Sequence, residues 1–154
     1  MKCVVVVCLI CLMWWPLALG APSSAETFSL ADRVGEPNER SFFMFSTSAG
    51  QYTVRHDGMG EVTSPKGMRR VFNLRVGGRA RIENVYYLEH QADLFMLYEV
   101  TGQVFYLVRM EQTKRKLRWS REIGRVTEAP VIKDDFVIVD ETHIHKSNGH
   151  VRQN

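Results

Sequence analysis

The chain has 154 residues, 45% of them hydrophobic and 24% charged, with a formal net charge of +3 at pH 7. That length suits one domain with a core of its own, and so small a charge gives no reason to expect nucleic acid as a partner. All three cysteines, Cys3, Cys8 and Cys11, fall within the first eleven residues, which excludes thiolate metal sites, redox pairs and thiol nucleophiles from the rest of the chain.

Residues 1–20 open with Lys2, continue through the acid-free apolar stretch Val4 to Leu12, and close on Ala18-Leu19-Gly20 before Ala21. This is the pattern of a cleaved secretory signal peptide, and Pro16 argues against a retained anchor. Lipidation is not expected, because Cys8 follows Val7 and Cys11 follows Ile10. Cleavage after Gly20 leaves 134 residues, with 19 basic against 17 acidic side chains once Lys2 is gone, a net charge of +2. An exported domain of this size without disulfides fits a bacterial envelope, periplasmic or extracellular, with no integral membrane segment after cleavage.

Residues 21–40 are rich in Pro, Ser, Gly and Asn and poor in apolar residues, the composition of a disordered linker. The folded domain is expected over 41–154. There, short runs rich in Val, Ile, Phe and Tyr alternate with turn residues, and no segment sustains a helical apolar period. The expected strands are Ser41–Thr47, Gln51–His56, Arg70–Val76, Ile82–Glu89, Leu94–Val100, Gln103–Met110, Leu117–Glu122, Pro130–Ile132, Phe136–Asp140 and His143–Lys146. Turns are expected at 57–60, Gly77-Gly78, Thr101-Gly102, 133–135 and 147–149, where Gly and Asx residues tolerate positive φ. Leu94–Tyr98 and Phe136–Val139 are apolar at nearly every position, as strands buried on both faces are.

The run from Phe42 to Gln51 recurs 52 residues later as Leu94 to Gln103, each an apolar run, a turn near Gly-Gln and a second apolar run. A degenerate third copy starts at Phe136. Periods of this size indicate stacked repeat units, with four-stranded propeller blades the leading candidate. A small closed barrel is the competing architecture, since ten strands suffice for one.

Residues 93–123 carry Leu94-Phe95-Met96-Leu97-Tyr98, then Gly102-Gln103-Val104-Phe105-Tyr106-Leu107-Val108-Arg109-Met110, then Lys116-Leu117-Arg118-Trp119-Ser120. These are followed by Ala129-Pro130-Val131 and by a turn at Lys146-Ser147-Asn148-Gly149. This succession resembles the pyrroloquinoline-quinone-like repeat, a β-propeller unit of quinoprotein dehydrogenases and of outer-membrane assembly scaffolds. The resemblance covers roughly 41–154 and is stronger in the second half. It departs from the family pattern where Arg109-Met110 and His145-Lys146 replace the usual Leu-Asp, and where Thr113-Lys114 lacks the turn glycine. It implies an all-β fold of antiparallel sheets stacked as two to three partial propeller blades, fewer than the four to eight that close a ring. An open stack of that kind would expose unpaired strand edges.

Catalytic quinoproteins hold their cofactor with an adjacent cysteine pair, a calcium carboxylate and a catalytic aspartate; the exported chain has no cysteine and too few blades to enclose a quinone, so the resemblance carries shape and not enzymology. No catalytic, cofactor-binding or metal residue is assigned. His143 and His145 could share a metal if a third ligand approached, but with none assignable they read as surface histidines. Asp134-Asp135 and Asp140-Glu141 read as turn acids rather than a calcium site. Ser147 with His150 lacks an orienting acid. Arg79-Ala80-Arg81 beside Gly77-Gly78 could cradle an anion through backbone amides, although the turn explains the glycines equally well. The basic runs Lys66-Gly67-Met68-Arg69-Arg70 and Lys114-Arg115-Lys116-Leu117-Arg118 read as solvated turns. Tyr86, Tyr87, Tyr98, Phe105 and Tyr106 read as core. The expected function is that of an exported, non-enzymatic protein-binding or scaffold module, acting through a sheet edge or inter-sheet groove or by self-association. The alternative is an accessory or ligand-binding subunit, or a degenerate fragment, of an envelope quinoprotein-type enzyme.

Overall fold

The computed structural model describes residues 25–35 and 41–152. The expected signal peptide, residues 1–20, lies outside the described residues, as do 21–24 and 36–40 of the expected linker. No helix occurs among the described residues, and none long and apolar enough to cross a membrane. All the secondary structure is β, in three antiparallel sheets of five strands.

Each sheet is a four-stranded meander with one added strand. The first meander runs through β4 (Phe42–Thr47), β5 (Gly50–Arg55), β6 (Met59–Thr63) and β7 (Arg69–Asn73), and the second through β8 (Ile82–His90), β9 (Asp93–Val100), β10 (Val104–Glu111) and β11 (Lys116–Gly124). The third comprises β12 (Val131–Lys133), β13 (Phe136–Val139), β14 (Thr142–His145) and β15 (Val151–Arg152). The added strands are β1 (Glu26–Thr27), β2 (Ser29–Leu30) and β3 (Asp32–Val34). β1 pairs with β12, β2 with β8 and β3 with β4, all antiparallel. One continuous strap therefore covers the first-strand edge of all three sheets in reverse order.

That strap corrects the linker reading over residues 25–35. Apolar content is low there because the segment binds mainly through backbone hydrogen bonds, which leave no hydrophobic signature. Ala31 N–H, for instance, donates to the Val85 carbonyl at 2.8 Å.

Strand periodicity divides the apolar residues between two cores. On β9, Leu94, Met96, Tyr98 and Val100 join a core with Phe43, Phe45, Tyr52 and Val54 of the first sheet. Phe95 and Leu97, on the opposite face, join Ile132, Val137, Val139 and Ile144 of the third sheet. The second sheet is thus the middle layer, and residues Leu94–Tyr98 are buried on both faces, as their unbroken apolar run requires. Burial of a side chain the size of Phe95 contributes about 2–3 kcal/mol.

Three expectations are corrected. Phe136–Val139 buries one face only: Val137 and Val139 are buried while Phe136 and Ile138 are partly exposed, because no described sheet lies beyond the third. The turn expected at 57–60 ends earlier, with Met59 and Gly60 already in β6. Gly60 is in a strand because its neighbour needs the space: a Cβ there would sit 2.1 Å from the Phe72 ring. The closed-barrel alternative gives way to three separate sheets.

Polar clamps fix the layers to one another. Between the first two sheets, the Glu89 carboxylate accepts from the Ser48 backbone N–H at 3.0 Å, from the Ser48 hydroxyl and from Gln112 Nε2 at 2.8 Å. Between the second and third, Trp119 Nε1 donates to the Lys146 carbonyl at 3.0 Å and Arg121 Nε to the Gly149 carbonyl at 2.7 Å. Arg109 pairs with Asp93 at 2.9 Å and reaches the Ser147 carbonyl at 2.7 Å.

Candidate functional site

The strap covers one side of the stack. On the other side the sheets end in β7, β11 and β15, and no described strand pairs with their far edges. These three edges are not equally protected. β15 has two residues, and the pairing that holds β11 is interrupted by two irregularities. β7 pairs with β6 in unbroken register over five residues, a regular edge of the kind that accepts a further strand. Of the four large exposed apolar side chains among the described residues, two lie on β7 or just before it, Val71 (65% exposed) and Met68 (55% exposed).

Alternation along β7 aims side chains to both faces. Phe72 points into the first core. Arg70, on the same parity, reaches toward the second sheet, where its Nη1 donates to the Lys114 carbonyl at 3.1 Å. This contact joins the two basic runs that the sequence treats as unrelated turns. The first is a turn held by Ser64 and Met68, with Ser64 N–H on the Met68 carbonyl at 2.8 Å. The second is the β10–β11 hairpin, where Arg115 adopts φ 49° in place of the missing glycine.

The combined patch holds seven basic side chains, Lys66, Arg69, Arg70, Lys114, Arg115, Lys116 and Arg118. Two carboxylates are seen to pair with it. Glu61 takes Arg69 at 2.5 Å, and Glu111 takes Lys114 at 3.2 Å together with Arg118. Hydrogen bonds from those cations hold both carboxyls below their ordinary range, so both stay ionised and the patch keeps a net positive charge at neutral pH.

A depression lies on each side of β7. On the outer face a hollow of about 350 Å³ is lined by Met59, Val71, Thr53, Arg55, Glu61 and Arg69. On the inner side a cleft of about 230 Å³ separates the ends of β7 and β11, lined by Asn73, Arg75, Leu117, Arg118, Trp119 and Ser120. The basic runs are visible in the sequence. The sites of Met59, Val71 and Arg75 are not, because their meaning depends on β7 being an edge.

The other candidates are dispersed. His143 and His145 share the outer face of the third sheet, with Phe136 against both rings at 5.8 and 5.3 Å. No group of three metal-binding side chains forms among the described residues. Ser147 Oγ lies 2.9 Å from His145 Nδ1, not beside His150. Asp140 closes the Thr127–Glu128 loop, accepting both backbone N–H groups, which hold its carboxyl below the ordinary range. At Gly77–Arg81 the turn itself engages the amides: Ala80 N–H bonds the Gly77 carbonyl and Arg81 N–H bonds Thr101 Oγ1, each at 3.1 Å. Tyr87, Tyr98 and Tyr106 pack in the first core and Tyr86 and Phe105 in the second. An apolar cleft of about 310 Å³ lies between the strap, the second sheet and the 126–130 segment, lined chiefly by Phe28, Leu30, Tyr86, Leu97, Phe105 and Val126. No family model, curated protein or solved structure matches the chain.

Proposed function

We propose that the chain is an exported β-repeat protein of the pyrroloquinoline-quinone-like type, serving as a protein-binding or scaffold module in the cell envelope without catalysis of its own. The observation that carries this reading is β7, a regular edge strand with Val71 exposed and a far side that no described strand pairs with. Such an edge offers backbone hydrogen bonds to an extended partner, with side-chain hollows to select it. The three four-stranded meanders support the blade reading, and the strap would stand where a propeller has its channel. Export rests on the apolar, acid-free stretch within residues 1–20.

A second reading, the accessory or ligand-binding subunit of an envelope enzyme, is favoured by the apolar cleft behind Phe28 and Phe105. Native mass spectrometry of the exported chain, combined with photo-crosslinking from position 71, separates the two. An identified protein cross-linked at that edge supports the module. A retained small molecule and no cross-linked protein supports the ligand-binding subunit. The same spectrum reads the mature mass, which export and cleavage reduce by residues 1–20.

A further inference from the structure

We infer that the β7 rim takes an extended, acidic partner segment whose side chains alternate between carboxylate and apolar, added as a sixth strand to the first sheet. This inference rests on the binding-module reading and names the chemistry of its partner.

The partner's alternation follows from the two sides of β7. A strand added to an edge continues the pleat, so its odd and even side chains fall on opposite faces. On the outer face they meet Val71 and Met59, around the hollow of about 350 Å³. There the Arg69 guanidinium is already taken by Glu61 at 2.5 Å, which leaves the apolar floor as the available contact. On the inner face they meet Arg70, the Lys114–Lys116 turn that Arg70 touches, and the cleft with Arg75 and Arg118. Around that turn and cleft the basic side chains are Arg70, Arg75, Lys114, Arg115, Lys116 and Arg118, and one carboxylate, Glu111, is seen to pair with them, a surplus that favours acidic side chains and steers them in at low salt.

A lipid surface is the rival source of negative charge. The β7 edge favours the peptide, because lipid headgroups supply no ladder of backbone donors and acceptors for the unpaired side of a strand.

The test titrates the full chain with a fluorescent eight-residue peptide of alternating glutamate and valine. A lysine–valine peptide of the same length and vesicles of anionic phosphatidylglycerol in phosphatidylcholine serve as the other probes. The glutamate–valine peptide is expected to bind at least tenfold more tightly than the lysine–valine peptide. Arg70→Glu and, separately, Lys116→Glu are expected to weaken it about tenfold and Val71→Asp about fivefold, whereas Lys133→Glu on β12 leaves it unchanged. Equal binding of the two peptides, or full binding by both Arg70→Glu and Lys116→Glu, overturns the inference. Vesicle binding that Arg70→Glu abolishes, without peptide binding, overturns it in favour of a lipid surface. If the peptide fails while a protein cross-links elsewhere on the chain, the partner chemistry falls and the module reading stands. If no protein cross-links at all, both fall.

Discussion

The Glu89 carboxylate receives the Ser48 backbone N–H at 3.0 Å, so a side chain at the end of β8 closes the β4–β5 hairpin of the neighbouring sheet. Burial opposes its ionisation, but hydrogen bonds from the Ser48 hydroxyl, the Ser48 amide and Gln112 outweigh it and hold the carboxyl below its ordinary range. Gln112 is itself buried and accepts from Thr47 Oγ1 at 2.6 Å. Glu89→Ala strands these donors and is expected to cost roughly 1–2 kcal/mol by urea denaturation at pH 7. The pH dependence has a definite sign. A depressed folded pKa contributes stability that is complete above the unfolded value, near pH 4.3, and is lost as pH falls through the folded one. The gap between wild type and Glu89→Ala should therefore narrow below about pH 4, and a constant gap down to pH 3 would refute the charge-assisted role.

Tyr52 presents the opposite case. Its ring is fully buried, stacked on Phe45 at 5.1 Å, while its hydroxyl finds no hydrogen-bond partner among the described residues. Burial pushes its pKa up to about 12. Removing an unsatisfied buried hydroxyl relieves a desolvation penalty. Tyr52→Phe should thus leave stability unchanged or raise it by up to about 1 kcal/mol, and a loss of more than 1 kcal/mol in thermal denaturation would reveal a partner for the hydroxyl.

The middle layer is the part of this fold most legible in the sequence. Residues 94–98 are apolar at every position, and only a strand covered on both faces needs that. The same pattern at 136–139 misleads, since Phe136 and Ile138 are apolar yet lie on an outer face. Composition records what a side chain is, not whether another layer exists to cover it. β6 escapes notice because its start, Met59-Gly60, reads as the end of the 57–60 turn, and the tight approach of Phe72 that makes glycine suitable there is a tertiary fact. The strap escapes for a related reason, as strands of two or three residues carry too few side chains to show a period. At the candidate site the basic runs are legible one by one. Their union through Arg70 and Lys114 depends on how two sheets stack, and no local pattern encodes it.

Gly149 closes the last hairpin against Trp119. It holds φ +70°, and a Cβ at this position would lie 2.8 Å from Trp119 Cδ2. Gly149→Ala combines left-handed backbone strain with a steric conflict against an indole anchored to the Lys146 carbonyl. The expected loss is about 2–3 kcal/mol. Because Trp119 must shift, near-ultraviolet circular dichroism should change along with stability. An unchanged tryptophan signal with full stability would show that the turn yields instead.

The strap offers the sharpest check on how the three sheets cohere. Phe28 packs into the second core and Ala31, three residues on, into the first. The strap therefore contacts both faces of the middle sheet while its strands pair with all three sheets. Ala31 is 5% exposed and belongs to the first apolar core, so Ala31→Asp buries a carboxylate among apolar side chains. The expected cost is roughly 3 kcal/mol or more. Phe28 is only half-buried, and Phe28→Ala should cost less, about 1–3 kcal/mol. Since strap pairing couples the sheets, both variants should lower the stability of the whole stack together. Hydrogen exchange by mass spectrometry decides this. Loss of protection spread over β4, β8 and β12 supports coupling, whereas loss confined to residues 25–35 would mean that the three sheets stand without the strap.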